Sequence, residues 1–387
     1  MPRAVTFRID RVELFDLTLP LVEPFVISGG VMRDRRSVVV VLHDGEGGIG
    51  YGESPPFELP FYSDETLAGA RHLLSRVLVP RITGGTFRGP EAVDAALRPG
   101  IRGNPFARAA VETAAWDLEA NRRGVGLADL LAERLGVERS DAVPCGVALG
   151  IPEDRRPGTL SHWVGDAVLQ GYQRVKIKVM PGWDMTAVAA ARDGMAGARM
   201  AGADLPLTVD ANGAYEWPAD AAALHALDRA GLLYIEQPLP PDELLGHAAL
   251  AAALVTPICL DETLRDARAA RQVEQLGGPK VWNVKVHRVG GLSEVCRIYE
   301  VARRFGATLW AGTMPESGLG SQAALAAASL PLFTYPSDLE PSARWFGRGA
   351  DVVELEMRPD GTMPVPSVSL AHLLDGNRFT AATRSVG

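Results

Sequence analysis

The stretch "LLYIEQP", residues 232–238, is a short apolar run that ends in a polar segment with a carboxylate, and it belongs to a series. Six similar runs flank it, separated by Ala-rich stretches with helical patterning. In chain order, the seven runs are "VPCGVALG" (143–150), "RVKIKV" (174–179), "LPLTVDAN" (205–212), "LLYIEQP" (232–238), "TPICLDE" (256–262), "VWNVKVHR" (281–288) and "TLWAGTM" (308–314). Strands that alternate with helices at a repeat of roughly 25 residues are typical of βαβ units. With "YPSDLEP" (335–341) as a possible eighth run, the series predicts an α/β fold with a closed β/α barrel.

The residues outside this series have a different texture. Two runs, "VTFRIDRVELFDL" (5–17) and "RRSVVVVLHDGEGGIGYGE" (35–53), predict antiparallel strands, because "DGEGG" between apolar runs is turn chemistry. Helical patterns follow at 64–77 and 106–122. We therefore predict three parts: a small sheet with helices over 1–140, the barrel over 141–335, and a C-terminal segment over 336–387. In that last segment, "DVVELEM" (351–357) is predicted to be a strand.

The composition is that of an ordinary globular protein, with 47% hydrophobic and 22% charged residues among 387. A formal net charge of −8 argues against nucleic acid as a partner, because phosphate binding needs clustered cations. We find no secretory signal pattern, and the longest apolar run is too short to span a bilayer. The three cysteines are widely spaced and fit neither a disulfide framework nor a zinc site. We expect a cytoplasmic protein with no membrane partner.

Lysine is scarce in this chain. Of 39 Lys and Arg residues, only Lys176, Lys178, Lys280 and Lys285 are lysines. Arginine does not lose its proton in a protein, whereas a desolvated lysine near another cation can become a neutral base. Lys176 and Lys178 lie two residues apart on the second run, and therefore on one face of the predicted strand. The pair indicates a lysine that serves as a base.

Carboxylates occupy the equivalent ends of the next three runs. Asp210, Glu236, Asp261 and then Lys285 follow one another at spacings of 26, 25 and 24 residues, about one β/α unit each. Barrel enzymes place their active sites at the C-terminal ends of the strands. Three carboxylates in one pocket repel one another unless a cation lies between them, and Mg²⁺ or Mn²⁺ suits oxygen ligands. Such a metal can stabilise the enediolate formed when a carboxylate substrate loses its α-proton.

Simpler interpretations exist for each of these motifs. A single "KxK" is common on exposed strands, and an Asp at a strand end is often a helix cap or turn residue. The regular spacing together with the scarcity of lysine favours the site. Lys285, far around the barrel from Lys178, predicts two bases across one carbon, which suits a racemase or an elimination. From another class, a metal-free barrel enzyme could form a Schiff base through Lys178 or Lys285, and a non-catalytic binding protein would leave the lysines unexplained.

Six motifs carry a resemblance to a known family. In this order and spacing, "KIK", "VDAN", "IEQP", "CLDE", "NVKVHRVGG" and "MPESGLG" resemble the enolase superfamily, in its muconate-lactonizing-enzyme branch. Within that branch the chain is most similar to the o-succinylbenzoate synthases and N-succinylamino acid (N-acylamino acid) racemases. The resemblance spans residues 10–370 and is dense over 143–330. It implies a modified, TIM-like barrel beneath an α+β capping domain, to which the C-terminal segment contributes. Superfamily sites pair a lysine or histidine base with Mg²⁺, so the resemblance by itself implies this mechanism.

The resemblance also implies roles for individual residues. The metal ligands would be Asp210, Glu236 and Asp261, the acid/base pair Lys178 and Lys285, and the supporting residues Lys176 and Arg288. Arg288 resembles the arginine associated with racemase-capable members. The expected substrate contacts are Asn212, Thr313, Met314 and Glu316, with Phe25 and Tyr62 as walls on two capping loops.

Four positions depart from the family pattern, and all of them line or flank the expected pocket. They are Ala148 (often Ser), His287 (commonly Gly), Thr313 (usually Gly) and Pro315 (usually aliphatic). These departures leave proton abstraction unaffected and put the identity of the substrate's acyl group and side chain in question.

The expected function is metal-dependent abstraction of a carboxylate α-proton. The product would be o-succinylbenzoate, by dehydration in menaquinone biosynthesis, or a racemised N-succinylamino acid, or both. A dipeptide epimerase or a muconate-type cycloisomerase is the alternative within the superfamily. Acid-sugar dehydratases are disfavoured, because they commonly use a histidine base that is not evident here. The expected partner is a small carboxylate, and the expected assembly is a homo-oligomer.

Overall fold

The computed structural model describes residues 5–27, 30–198 and 205–386. Its N-terminal region consists of an antiparallel sheet with helices beside it, as predicted. The elements are β1 (Thr6–Arg8), β2 (Arg11–Ile27), β3 (Gly30–His43), β4 (Ile49–Ser54), α1 (Leu67–Leu73), a π-helical turn (Leu74–Leu78), α2 (Val79–Ile82), β5 (Thr86–Arg88), α3 (Pro90–Leu97), α4 (Pro105–Arg123) and α5 (Leu127–Leu135). The side chain of Asp44 accepts hydrogen bonds from the backbone N–H groups of Glu46 and Gly48. This turn reverses the chain between β3 and β4.

The second half of strand β3, from Ser37 to Leu42, is buried on both faces. Because side chains alternate along a strand, Val38 and Val40 pack in a core with α4, whereas Val39 and Val41 belong to the main core that extends into the barrel. Strand β4 lies directly on α4, where a Cβ on Gly52 would collide with backbone atoms of the helix. The sheet is therefore held between two cores.

Each of the seven predicted runs contains one strand of a parallel sheet. The sheet order is β7-β8-β9-β10-β11-β12-β13. The elements of this region are β6 (Ala142–Pro144), β7 (Gly146–Leu149), α6 (Pro157–Leu169), β8 (Arg174–Lys178), α7 (Asp184–Ala198), β9 (Leu207–Asp210), α8 (Ala221–Asp228), β10 (Ile235–Glu236), α9 (Leu244–Ala253), β11 (Ile258–Leu260), α10 (Ala267–Leu276), β12 (Val281–Val284), α11 (Val286–Val289), α12 (Leu292–Phe305), β13 (Thr308–Ala311) and α13 (Gly318–Ala328).

The eighth run joins the two edges of this sheet. Isolated parallel bridges connect Phe333, just before this run, to Leu309 of β13, and Ser337 of the run to Cys145, the residue before β7. Backbone N–H groups of the edge strand and of the eighth run continue the contact, with Gly146 donating to Ser337 at 2.7 Å and Asp338 donating to Ala311 at 2.9 Å. The predicted fold class, a β/α barrel with a separate α+β domain, is confirmed.

The C-terminal segment returns to the N-terminal sheet. Its elements are α14 (Ser342–Trp345), β14 (Thr362–Pro364), α15 (Leu370–Leu373), α16 (Gly376–Ala382) and β15 (Thr383–Ser385). Strand β14 pairs with β6, and β15 pairs with β2. The division of the chain at residues 140 and 335 stays a prediction.

The predicted strand over residues 351–357 is wrong, because the chain forms no strand there. Its polar groups are used differently: the side chain of Asp351 accepts hydrogen bonds from the backbone of Gly318 and the hydroxyl of Ser342. Val352 and Val353 are buried in the main core. The segment therefore caps α13 and fills the core instead of pairing with a neighbouring strand. Among the described residues, no helix has both the length and the apolar character needed to cross a membrane.

Candidate active site

Parallel register brings the predicted residues to one rim of the barrel. Lys178 is opposite Asp210 in the β8–β9 ladder, and Asp210 is opposite Glu236 in the β9–β10 ladder. Asp261 and Lys285 each follow the last residue of their strands, β11 and β12. The structure thus gathers all five residues at the C-terminal ends of adjacent strands.

Two lysines enter this rim from separate strands. Lys178 Nζ lies 2.5 Å from Asp210 Oδ2 and 2.5 Å from Asn212 Oδ1. Lys285 Nζ lies 3.0 Å from Asp261 Oδ2 and 3.0 Å from the Tyr62 hydroxyl. Strands β9, β10 and β11 separate the two lysine-bearing strands in the sheet. The ammonium groups therefore reach the rim from different sides.

Lys176 is buried among carboxylates. Its Nζ lies 2.7 Å from Asp338 Oδ2, 3.0 Å from Glu236 Oε2 and 3.8 Å from Asp210 Oδ2. Burial alone would lower the pKa of Lys176, but Asp338 and Glu236 outweigh it and raise the pKa well above its ordinary value. Lys176 therefore supplies a fixed positive charge beneath the rim.

Asp338 was not predicted as a site residue. It lies on the eighth run and pairs with both Lys176 and Arg174. Burial would raise the pKa of Asp338, but these two cations hold it well below its ordinary value. The same reasoning that selected the strand-end carboxylates, applied to "YPSDLEP", could have identified this residue.

Two further polar residues of the site, Asn283 and Glu262, are not among the predicted residues. Asn283 donates a hydrogen bond to Glu236 Oε1 at 2.8 Å, and Asn212 donates to Glu262 Oε1 at 2.9 Å. Burial, followed by the charge of Asp261, raises the pKa of Glu262 to about 7. Both residues adjoin motifs already selected, since Asn283 precedes Lys285 and Glu262 follows Asp261.

Arg288 lies beside Lys285 on the short helix α11. Its guanidinium pairs with Asp261 and donates to the backbone oxygen of Asn283 at 2.8 Å. Burial would raise the pKa of Asp261, but Arg288 and Lys285 hold it below its ordinary value. Asp261 is therefore an ionised group between two cations.

The carboxylate set suits a hard divalent cation. Burial raises the pKa of Glu236 to about 8, and the neighbouring charge of Asp210 contributes to this rise. Glu236 Oε2 forms an ion pair with Lys176 but accepts no aligned hydrogen bond. Oxygen ligands with this mutual repulsion fit Mg²⁺. In the described parts of the chain, no group of three or more Asp, Glu, His or Cys side chains is already arranged around a single point. Lysine and arginine side chains contact the three carboxylates.

The capping side of the site is apolar and aromatic. Phe57, Phe106 and Met314 form a buried cluster against which Phe61 and Tyr62 pack. Burial, and then the charge of Asp261, raises the pKa of Tyr62 to about 12, so its hydroxyl stays protonated. That hydroxyl accepts hydrogen bonds from Lys285 and Arg288.

The other predicted substrate contacts have mixed placements. The side chain of Phe25 lies outside the described residues, although its backbone pairs with Met32. The hydroxyl of Thr313 donates to the backbone oxygen of Asp338 at 3.2 Å. Glu316 is buried, with Oε1 3.5 Å from His287 Nδ1.

Ala148 and Pro315, which also depart from the family pattern, make polar contacts through their backbones. The N–H of Ala148 donates to Glu340 Oε1 at 3.2 Å, and the backbone oxygen of Pro315 accepts from Arg35 at 2.9 Å. Both residues are therefore fixed by side chains from other segments.

Comparison with known proteins identifies relatives along nearly the whole chain. Residues 11–132 match the family described as mandelate racemase / muconate lactonizing enzyme, N-terminal domain, and residues 160–368 match the enolase C-terminal domain-like family. An N-succinylamino acid racemase of Thermus thermophilus is 43% identical over 93% of this chain and 92% of its own. An o-succinylbenzoate synthase of Geobacillus kaustophilus is 38% identical over 94% of this chain and 92% of its own.

Solved structures agree on the architecture. An enolase superfamily member from Enterococcus faecalis superposes with a TM-score of 0.87 at 34% identity, covering 99% of both chains. A dipeptide epimerase from Cytophaga hutchinsonii, solved with Mg and a dipeptide, superposes with a TM-score of 0.85 over 98% of this chain and 99% of its own. At 22% identity, the second likeness concerns the fold alone.

Proposed function

Because the chain belongs to the mandelate racemase and muconate lactonizing enzyme family of the enolase superfamily, we propose that it abstracts the α-proton of a small carboxylate substrate through an enediolate. The substrates proposed are N-succinylamino acids, which it racemises, and the precursor of o-succinylbenzoate, which it dehydrates. One relative, 43% identical, is an N-succinylamino acid racemase, and another, 38% identical, is an o-succinylbenzoate synthase. The enzyme is therefore assigned as an isomerase and lyase.

The observation that supports this proposal most strongly is the arrangement of the two lysines around the carboxylates. Lys178 and Lys285 reach the rim from β8 and β12, with the ends of three strands between them. Each is the proton donor or acceptor on its own side of the substrate's α-carbon. Removal of the proton by one lysine and return by the other inverts the carbon, whereas dehydration needs only one base.

Asp210, Glu236 and Asp261 would hold Mg²⁺ or Mn²⁺. When bound, the metal supplies positive charge that stabilises the enediolate oxygens. Lys176 stays charged between Asp338 and Glu236 and fixes the carboxylates from below. Arg288 orients Asp261 and adds positive charge beside Lys285.

Racemisation is favoured as one of the activities because both sides of the site carry a lysine. Dipeptide epimerases and muconate lactonizing enzymes have less support, since their solved members are 22% to 26% identical to this chain, whereas the racemase and the synthase relatives are 38% to 43% identical. The Schiff-base alternative has no support from the comparisons. The cytoplasmic location, the homo-oligomer and the lack of nucleic-acid or membrane partners stay predictions.

The test offers both enantiomers of several N-succinylamino acids to the metal-loaded enzyme in D₂O. We expect the α-proton to exchange and each enantiomer to racemise, as measured by NMR and chiral chromatography. Formation of o-succinylbenzoate from its precursor is measured in parallel. Exchange absent from both enantiomers, with rapid dehydration, would remove the racemase activity; failure on both substrate classes would move the assignment to another branch member.

A further inference from the structure

Arg35 connects two loops that belong to different parts of the molecule. It lies on β3 and is only 3% exposed. Its guanidinium donates to the backbone oxygens of Pro55 and of Pro56, the latter at 3.3 Å, in the loop after β4. It also donates to the backbone oxygens of Met314, at 3.2 Å, and Pro315, at 2.9 Å, in the loop after β13. One side chain thus joins the capping sheet to the barrel.

The charge of Arg35 is met by main-chain oxygens. In residues 5–27, 30–198 and 205–386, no carboxylate oxygen forms an ion pair with it, and Glu53, Glu316 and Glu58 act only at longer range. Burial lowers the pKa of Arg35, and the negative charges of those carboxylates partly oppose the effect. A buried cation without a paired anion is costly, so its several hydrogen bonds are needed to hold it there. The two loops therefore depend on Arg35, and Arg35 depends on them.

The loop after β4 leads directly to the Lys285 side of the site. The ring of Phe57 lies 4.9 Å from the Arg35 guanidinium carbon. Farther along the same segment, Tyr62 contacts Lys285 through its hydroxyl at 3.0 Å and through its ring centroid at 4.8 Å. Met314 packs on Phe57 in the apolar cluster, so both loops joined by Arg35 meet there.

The Lys178 side is built differently. Lys178 contacts Asp210 and Asn212, which are both barrel residues at the end of β9. We propose that Arg35 is a positioning residue that fixes the segment 55–62 on the barrel, holds Tyr62 on Lys285, and so supports proton transfer by Lys285 more than by Lys178. This inference rests on the proposed roles of the two lysines.

Deuterium exchange into recovered substrate separates the two lysines. Racemisation rates cannot do so, because two enantiomers of equal free energy must interconvert with equal kcat/KM. Exchange without inversion reports the single lysine that removes and returns the proton. In Lys178→Ala only Lys285 remains, so the enantiomer that still exchanges its α-proton is the one that Lys285 deprotonates. In Lys285→Ala, by the same logic, the enantiomer that still exchanges is the one that Lys178 deprotonates.

The variant is Arg35→Met, and its matched control is Arg36→Met. Arg36 is the next residue of β3 and pairs with Glu58 at 3.1 Å near the surface. In Arg35→Met we expect the exchange rate of the enantiomer deprotonated by Lys285 to fall about 10- to 100-fold, which is the scale of a misplaced catalytic group. The exchange rate of the enantiomer deprotonated by Lys178 should change much less. Arg36→Met should leave both enantiomers unchanged. Equal losses at both enantiomers would overturn the inference, since a structural defect alone gives that result.

A double-mutant cycle tests the route through Tyr62. If Arg35 acts by holding Tyr62, then Arg35→Met adds little further loss at the enantiomer deprotonated by Lys285 in a Tyr62→Phe background. Fully additive losses would show that Arg35 acts elsewhere and would overturn the proposed route.

Backbone hydrogen exchange supplies a measurement that needs no turnover. Arg35→Met, shown by circular dichroism to be folded, should exchange faster than wild type in residues 55–62 and 313–317. Arg36→Met, which removes only the exposed ion pair with Glu58, should change exchange in residues 55–62 far less and leave residues 313–317 unchanged. If Arg35→Met fails to fold, Arg35→Lys takes its place. Lysine keeps the positive charge, but its one nitrogen cannot reach all the backbone oxygens that the planar guanidinium contacts. If the wild-type enzyme is inactive on both substrate classes, the proposed function is wrong, but this measurement still applies. If hydrogen exchange in residues 55–62 is the same in Arg35→Met as in wild type, the Arg35 inference is wrong.

Discussion

The barrel side and the capping side of the site are positioned by different means. On the barrel side, Lys178, Asp210 and Glu236 are neighbours because parallel strands end in register. On the capping side, Tyr62 reaches Lys285 across 223 residues of sequence, and no shared strand aligns them. The chemistry therefore depends on a repeated backbone geometry, whereas the enclosure of the site depends on individual contacts between distant segments.

Buried carboxylates are the second kind of contact on the capping side. Glu112 of α4 accepts hydrogen bonds from the backbone N–H groups of Leu292 and Ser293 at the start of α12, both at 2.7 Å. Glu53 of β4 accepts from Gly320 at the start of α13, at 3.0 Å. Capping residues thus satisfy N–H groups that barrel helices leave unpaired. The contrast with the barrel side can be tested at three levels.

The largest effect is expected from metal removal. If the barrel rim carries the chemistry through Asp210, Glu236 and Asp261, exhaustive chelation should abolish turnover, because the enediolate then lacks its stabilising charge. Addition of Mg²⁺ or Mn²⁺ should restore it, as followed by α-proton exchange. Full activity in the chelated enzyme, with trapping of substrate by borohydride, would favour the Schiff-base alternative.

The next effect concerns the lysines themselves. We expect Lys178→Ala and Lys285→Ala each to lower racemisation about 10²- to 10⁴-fold, since general acid–base catalysis contributes on that scale. Lys280→Arg is the control, because Lys280 is exposed and immediately precedes β12, at the opposite end of the strand from Lys285. Steady-state kinetics measures all three. Wild-type turnover in Lys178→Ala would eliminate it as a base.

The smallest effect is on stability and concerns Glu112. Burial raises its pKa to about 7 from an ordinary value of 4.5, with a further rise from Asp94 and opposing hydrogen bonds from Ser293 and Leu292. A raised carboxyl pKa stabilises the fold below pH 4.5, and the contribution is lost as the pH rises through about 7. At 1.36 kcal/mol per pKa unit, the loss is about 3 kcal/mol.

Glu112→Gln should remove this pH dependence. Denaturant midpoints of both proteins between pH 5 and pH 8 give the measurement, and the stability of wild type relative to the variant should fall as the pH rises. A constant difference across that range would mean that the hydrogen bonds keep Glu112 charged in the folded protein.

The barrel and its rim could be predicted because both follow from a period in the sequence. Each strand is a short apolar run, and its register fixes the height of the polar residue that follows, as for Asp210 and Glu236. Asp338 obeys the same rule, since it lies in the eighth run and its carboxylate points to the same group of residues as Glu236, through Lys176. Arg35 had no comparable signal: it is one arginine among many, and its partners are backbone oxygens of two loops. The strand predicted over 351–357 is wrong because apolar residues there are buried in the core without a neighbouring strand to accept and donate backbone hydrogen bonds.

The pairing of β15 with β2 has a consequence for folding kinetics. Thr383 lies opposite Leu17, so this edge of the N-terminal sheet is completed by residues from nearly the other end of the described chain. Contacts between such distant segments form slowly unless an intervening structure brings the segments together. We expect the barrel to assemble first and to shorten that search. Until it does, the edge of β2 is an unpaired strand, which is the kind of surface through which partly folded chains aggregate.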